Sequence, residues 1–115
     1  MQRSDRFINQ FGQALARGDL DAASRALRAT ICCQPDDVKG TFNLGVLHAR
    51  KTDAASTERH YRRALMIDPK HEGASSNLAD LLLSQDQNIK AEEICIIALT
   101  WVPLSARVLG NLALV

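Results

Sequence analysis

Four asparagines stand at equal intervals along this chain: Asn9, Asn43, Asn77 and Asn111, each 34 residues after the one before. A carboxamide offers a donor and an acceptor side by side, which is the pairing a peptide backbone presents. A column of four such groups suits the holding of an extended chain without reading its side chains. The other reactive residue types lack this order. His48, His60 and His71 are scattered, with no carboxylate or cysteine at ligand spacing beside any of them, so no metal site is expected. Cys32 and Cys33 are neighbours, and neighbours cannot easily bridge in a helical backbone. Cys95 falls in a column expected to be core, and all three cysteines read as structural thiols. No nucleophile–base pair, phosphate-cradling loop or supported carboxylate pair is found, so the chain is expected to be neither an enzyme nor a cofactor carrier. Arg59, His60, Arg62 and Arg63 form a basic run without interleaved aromatics, which reads as a solvated outer face rather than a nucleic-acid surface.

The elements that must position the asparagines follow from the same interval. Asn43-Leu44-Gly45 returns as Asn77-Leu78-Ala79 and as Asn111-Leu112-Ala113, and Pro35, Pro69 and Pro103 keep the same step. A fixed period of this length is the mark of a repeat architecture and decides the fold before any single site does. Further columns recur with the prolines: Thr30, Ala64 and Ala98; Ile31, Leu65 and Leu99; Leu27, Tyr61 and Cys95; Ala23, Thr57 and Ala91. The chain is read as a single domain, 1–115, with units at about 4–37, 38–71 and 72–105 and a partial fourth at 106–115.

Each unit reads as two helices. In the second, Leu44, Leu47 and His48 share a stripe, with Phe42 and Val46 on a neighbouring face. Lys51-Thr52 breaks the pattern, Asp53 is placed to cap the next helix, and Asp68-Pro69 ends it. The first unit breaks at Arg17-Gly18, where glycine suits a left-handed helix terminator. The third has Asp86 at that place, a poorer choice, and a looser turn is expected. Seven helices are predicted, near 5–16, 20–33, 37–50, 54–67, 71–84, 88–101 and 105–114. Gly45 with Ala64, and Ala79 with Ala98, are expected at close helix contacts where a large side chain would push the pair apart. Trp101 takes the place of Ile67 one unit earlier and is expected in the core.

Composition agrees with a folded, non-fibrous chain of mainly aliphatic core: 46% hydrophobic, 23% charged and only 4% aromatic. A net charge of +1 gives no field that would recruit nucleic acid or an anionic membrane. The longest apolar run, 94–99, is far too short to span a bilayer. The polar N-terminus and the cysteine usage point to the cytosol.

At this point the sequence resembles the tetratricopeptide-repeat family over essentially its whole length, best in the second unit through Asn43-Leu44-Gly45, Asp53, Tyr61, Ala64-Leu65 and Asp68-Pro69. The first unit departs from it, with Phe11 in place of the small residue and Thr30 in place of the usual Ala; Gly12 would restore the small residue with a shift of one position. The resemblance implies an all-α solenoid of three helix-turn-helix repeats plus a seventh helix, wound as a right-handed superhelix. It further implies that the first helix of each unit lines a concave groove that binds a peptide segment or a partner helix. Asn9, Asn43, Asn77 and Asn111 would then face that groove, with Lys39, Phe42, Val46, Arg50 and Asp80 around them, joined by Ile8, Gly12, Leu15, Ser76, Leu83 and Arg107. A similar asparagine ladder belongs to the repeats of the O-GlcNAc transferases, which Ser76-Asn77-Leu78-Ala79 resembles. A second reading is therefore the substrate-docking array of a larger glycosyltransferase of that kind. The subgroup that clamps chaperone C-terminal tails needs basic residues where this chain has Ile8, Gly73 and Asn77; only Asn43 fits.

The last residues carry no charged side chain after Arg107. Leu109, Leu112 and Ala113 match columns that pack on the preceding unit, and Leu109, Leu112, Leu114 and Val115 together would form an apolar surface for self-association. A homo-oligomer formed through this end is the third reading.

Overall fold

A computed structural model describes the backbone of residues 3–113 and the side chains from Asn9 to Ala113. These residues form α1 (Arg3–Ala16), α2 (Leu20–Cys33), α3 (Val38–Arg50), α4 (Ala54–Ile67), α5 (Glu72–Ser84), α6 (Asn88–Trp101) and α7 (Ala106–Ala113), with no strand among them. The fold class is all-α, as the repeat pattern requires. No helix among the described residues is long and apolar enough to cross a membrane. The chain divides into two compact units, one ending at His60 and the other beginning at Tyr61, so the division falls within α4 rather than at a repeat boundary.

The helix starts are set by side chains that satisfy otherwise orphaned backbone N–H groups. Asp19 accepts from Ala22 N at 3.0 Å, Asp37 from Lys39 N at 3.1 Å and Gly40 N at 3.3 Å, and Asp53 from Ser56 N at 3.2 Å. At α5 the cap is His71, whose Nδ1 accepts from Ala74 N at 3.0 Å; at α7 it is Ser105, whose Oγ accepts from Val108 N at 3.3 Å. Gln87 makes no side-chain cap bond at α6.

The turns inside the three helix pairs are alike. Asp19 N donates to Ala14 O, Asp53 N to His48 O and Gln87 N to Leu82 O, each at 2.9 Å. The residue before each donor is left-handed: Gly18 at φ 73°, Thr52 and Asp86 at φ 59°. This is the Schellman arrangement. The expected looseness of the third turn is not found. Asp86 accepts the left-handed backbone because the pair of backbone bonds around it is worth more than the steric cost. What the third turn lacks is the carboxylate cap that follows the other two.

In the first unit Ala14, Ala23, Leu27, Leu44 and Leu47 form the core, with Phe11, Leu15, Leu20 and Ile31 packed on it. Ala14 and Ala23 are the small pair that lets α1 and α2 approach. Gly12 does not serve this purpose: nothing lies within 4 Å of where its Cβ would be. Phe11 instead covers the core from its edge. Gly40 does make a close contact, since a Cβ there would meet Asp37 Oδ2 at 3.3 Å and Ile31 Cγ1 at 3.4 Å. Thr30, where the family has Ala, is fully buried and spends its hydroxyl on Ala26 O at 3.1 Å.

In the second unit Ala79, Cys95, Ala98 and Val108 form a core cluster, with Leu99 and Leu112 against it. Three expectations are corrected here and in α2. Trp101 is 48% exposed, not core: it closes α6 well to one side of the stripe carrying Ala91, Cys95 and Ala98. Cys32 and Cys33 are exposed at the end of α2; only Cys95 is a packed thiol. Leu109 is 44% exposed although its column is buried as Thr41 and Ser75 in the earlier repeats, while Val108 beside it is buried as Gly40 and Ala74 are.

Thr52 is β-branched in a conformation that costs an L-residue about 1–2 kcal/mol. Glycine removes that cost but adds unfolded-chain entropy of about 0.5–1 kcal/mol. Thr52→Gly is therefore expected to stabilise by about 0.5–1 kcal/mol, read as a higher urea midpoint at constant slope; a lower midpoint would show that the turn carries no strain.

Candidate functional site: asparagine-bearing helix faces

In the first unit α3 has two faces. Leu44 and Leu47 point to the core, while Lys39, Phe42, Asn43, Val46 and Arg50 recur at helical spacing on the other side. Phe42, Asn43 and Val46 are half-buried, and Lys39 and Arg50 are exposed, so an amide and two apolar side chains sit between two cations. Asn9 is exposed on α1. Ile8 lies outside the described side chains.

In the second unit Asn77 is half-buried on α5. Its Nδ2 donates to Tyr61 Oη and its Oδ1 accepts from Arg107, both at 3.5 Å, the long limit of such bonds. Burial pushes the Tyr61 phenol up in pKa, and the Asn77 contact opposes that shift. Asp80 is exposed one turn further along.

Asn111 does not share this environment, which corrects the expectation that it faces a ligand. It is buried, and its Nδ2 donates to Ser76 O at 3.0 Å and to Ser76 Oγ at 3.1 Å. Ser76 is small enough for α7 to bring the amide onto the backbone carbonyl. Asn111 is a packing residue that ties α7 to α5. The four asparagines thus run from exposed Asn9 through half-buried Asn43 and Asn77 to buried Asn111. Of the residues expected in self-association, Leu109 is exposed, Leu112 packs on the core of its unit, and Leu114 and Val115 lie outside the described residues.

A pair missed by sequence reasoning is His48 on α3 and His60 on α4. Their rings stack at 5.0 Å between centroids with 22° between planes. The His60 Nδ1–H donates to Ser56 O at 2.7 Å, and His48 Nδ1 lies 3.9 Å from Asp53 Oδ2. Burial is the main cause holding the His48 pKa below the usual imidazole range. His60, Lys51 and Arg28 add to the shift, and Asp53 opposes it. His60 is accordingly not part of the solvated run with Arg59, Arg62 and Arg63, all three of which are exposed. The 12-residue separation across a helix turn was the available signal, since it places the two rings opposite each other in a helical hairpin. Among the described residues no cluster of His, Cys, Asp and Glu is arranged to hold a metal.

Two predictions follow from this geometry. Asn111→Ala is expected to cost about 1 kcal/mol by loss of its bonds to Ser76, whereas Asn9→Ala stays within about 0.5 kcal/mol; paired denaturant melts decide between them. His48 has a lowered folded-state pKa, so its neutral form carries stability that is fully present above about pH 6.5 and is lost as pH falls through the folded value. Melts at about pH 7.5 and pH 5.5 should therefore differ more in the parent than in His48→Gln; equal differences would rule out the assignment.

No family model matches the chain. The Hsp70-Hsp90 organizing protein of wheat, Triticum aestivum, is 41% identical over 73 residues, which are 64% of this chain and 11% of that protein. Among solved structures, MamA from Desulfovibrio magneticus RS-1 superposes with a TM-score of 0.84 at 22% identity over 99% of this chain and 64% of that one. An O-GlcNAc transferase mutant from Thermobaculum terrenum gives 0.76 at 23% identity over 99% of this chain and 23% of that one. The TPR2B domain of yeast Sti1, in a complex with pHsp70, gives 0.82 at 18% identity over 96% and 93%. The chain thus spans a small part of the wheat protein and less than two thirds of MamA. Repeat columns, helix bounds and structural neighbours agree: the chain has the fold of the tetratricopeptide-repeat proteins, the family its sequence resembles.

Proposed function

We propose that this chain is a non-enzymatic scaffold that binds a protein segment, either an extended peptide or a partner helix, on its asparagine-bearing helix faces. The observation that carries the reading is the second face of α3, where half-buried Phe42, Asn43 and Val46 lie between exposed Lys39 and Arg50, on the side away from the core residues Leu44 and Leu47. Aromatic, amide and cationic groups on one rigid helix are the groups that anchor and orient a segment. On α5, Asn77 and Asp80 offer a smaller counterpart. A protein ligand is supported by the wheat relative, named for Hsp70 and Hsp90, and by the yeast domain in complex with pHsp70. The chaperone tail itself is not the proposed ligand, because Gly73 and Asn77 stand where the tail-clamping subgroup has cations. The same reading sets this binding in the cytosol, in keeping with free Cys32, Cys33 and Cys95.

A second reading, a substrate-docking part of a larger enzyme, is favoured by the likeness to the Thermobaculum terrenum O-GlcNAc transferase, of which the chain spans 23%. The third, self-association through α7, rests on exposed Leu109.

Selection of binders from a random short-peptide library, followed by titration of the best peptide, tests the first reading. Phe42→Ala and Asn43→Ala are each expected to weaken that peptide about tenfold, with melting temperatures close to the parent. A selected peptide that binds both variants as tightly as the parent would place binding elsewhere. An empty selection would count against the scaffold reading itself.

A further inference from the structure

The first unit carries a cavity of about 270 Å³ between α1 and α2, away from the Phe42–Asn43 face. Its floor is Ala22, Ala26 and Ala29, one stripe of α2, and its walls are Gln10 and Gln13 from α1 with Arg17 and Arg25. The later repeats differ at the same columns. Gln10 and Gln13 occupy columns that are Leu44 and Leu47 one repeat later, both buried against Ala14, Ala23 and Leu27 of the repeat before. The three alanines occupy columns that hold Ser56, His60 and Arg63 in the next unit, and Lys90, Ile94 and Ile97 in the one after. At these columns the first copy carries amides and small side chains, and these line the cavity. A merely solvated face needs polar side chains but no cavity.

The charges around the cavity are also unbalanced. Among the described residues neither Arg17 nor Arg25 has an ion-pair partner. The acids nearby are engaged: Asp19 caps α2 through Ala22 N, and Asp21 is held by Lys51 Nζ at 3.0 Å, its carboxyl kept below the usual range mainly by that lysine and to a lesser degree by Arg25. Two guanidiniums offer forked donors, two carboxamides add further donors, and an alanine floor accepts a short aliphatic stem. The volume admits one side chain rather than a larger ligand.

We propose that this cavity is a carboxylate-binding subsite that takes an aspartate or glutamate side chain of a docked protein segment. It is independent of the α3 face, so a partner can engage one without the other. The test is a titration of the isotopically labelled full chain, followed by amide shifts in NMR, with acetyl-Ala-Glu-Glu-Ala-amide, with the Gln-Gln analogue, and with free glutarate. The acidic peptide should move the amides of Gln13, Ala26 and Ala29 saturably, while the Gln-Gln peptide does not. Arg17→Gln and Arg25→Gln are exposed changes that should each weaken it about tenfold. Ala29→Leu, which fills the floor and removes no charge, should abolish binding. Glutarate binding more tightly than the peptide would overturn the assignment to a protein segment. Equal shifts with the Gln-Gln peptide, shifts located elsewhere, or full binding by Ala29→Leu would overturn the subsite.

Discussion

Two helices lie closely side by side only where neither carries a large side chain at the contact. The structure depends on this constraint more than on any single polar bond. In the first unit it is met by Ala14 and Ala23, and in the second by Ala79 and Ala98 with Cys95 between. Because the small residues hold each pair together at short range, a few leucines fill what remains, and 4% aromatics suffices for the whole chain. Apolar burial at the contacts is modest per residue, so the stability of each pair rests on its fit rather than on bulk. That economy leaves the opposite faces of the helices free to carry other chemistry, as α3 does.

The turns impose the second constraint. Three turns of different sequence, ending in Gly18, Thr52 and Asp86, close with the same backbone bond at 2.9 Å. Side-chain preference for the left-handed region differs among these residues by a kilocalorie or so. The combined gain from the terminal backbone bonds and the packing of the two helices exceeds that difference, so all three turns keep one geometry. The cap that follows is where they differ: a carboxylate at Asp19 and Asp53, nothing at Gln87. Local weakness in the third pair therefore lies at the start of α6, not in the turn before it.

The asparagine column shows how one residue type serves different ends. The amide suits any site that needs a donor and an acceptor together, and the surroundings decide what it meets. Asn43 stays half-open on a face with Phe42 and Val46, Asn77 reaches weakly to Tyr61 and Arg107, and Asn111 locks onto Ser76. The histidines behave likewise: His71 caps a helix, while His48 and His60 stack on each other and draw His60 out of what reads as a solvated basic run.

The sequence by itself determined the all-α class, the seven helices of the described residues with their bounds to within two residues, and the small pair Ala79 and Ala98, whereas the first pair meets through Ala14 and Ala23, which the repeat columns did not single out as a contact. These follow from a 34-residue period and from local chemistry such as the Asp19 and Asp53 caps, which act within one turn of the chain. Tertiary structure alone decided which asparagine is spent internally. Whether Asn111 meets solvent or Ser76 depends on the approach of α7 to α5, and no local spacing encodes that. It alone turned Val108 inward and Leu109 out, and left Trp101 at the margin of its helix pair. It also opened the cavity between α1 and α2. Gln10, Gln13 and three alanines are unremarked residues along the chain, and they become a polar notch only once the two helices are set side by side, because the space between them is fixed by contacts made elsewhere on those helices.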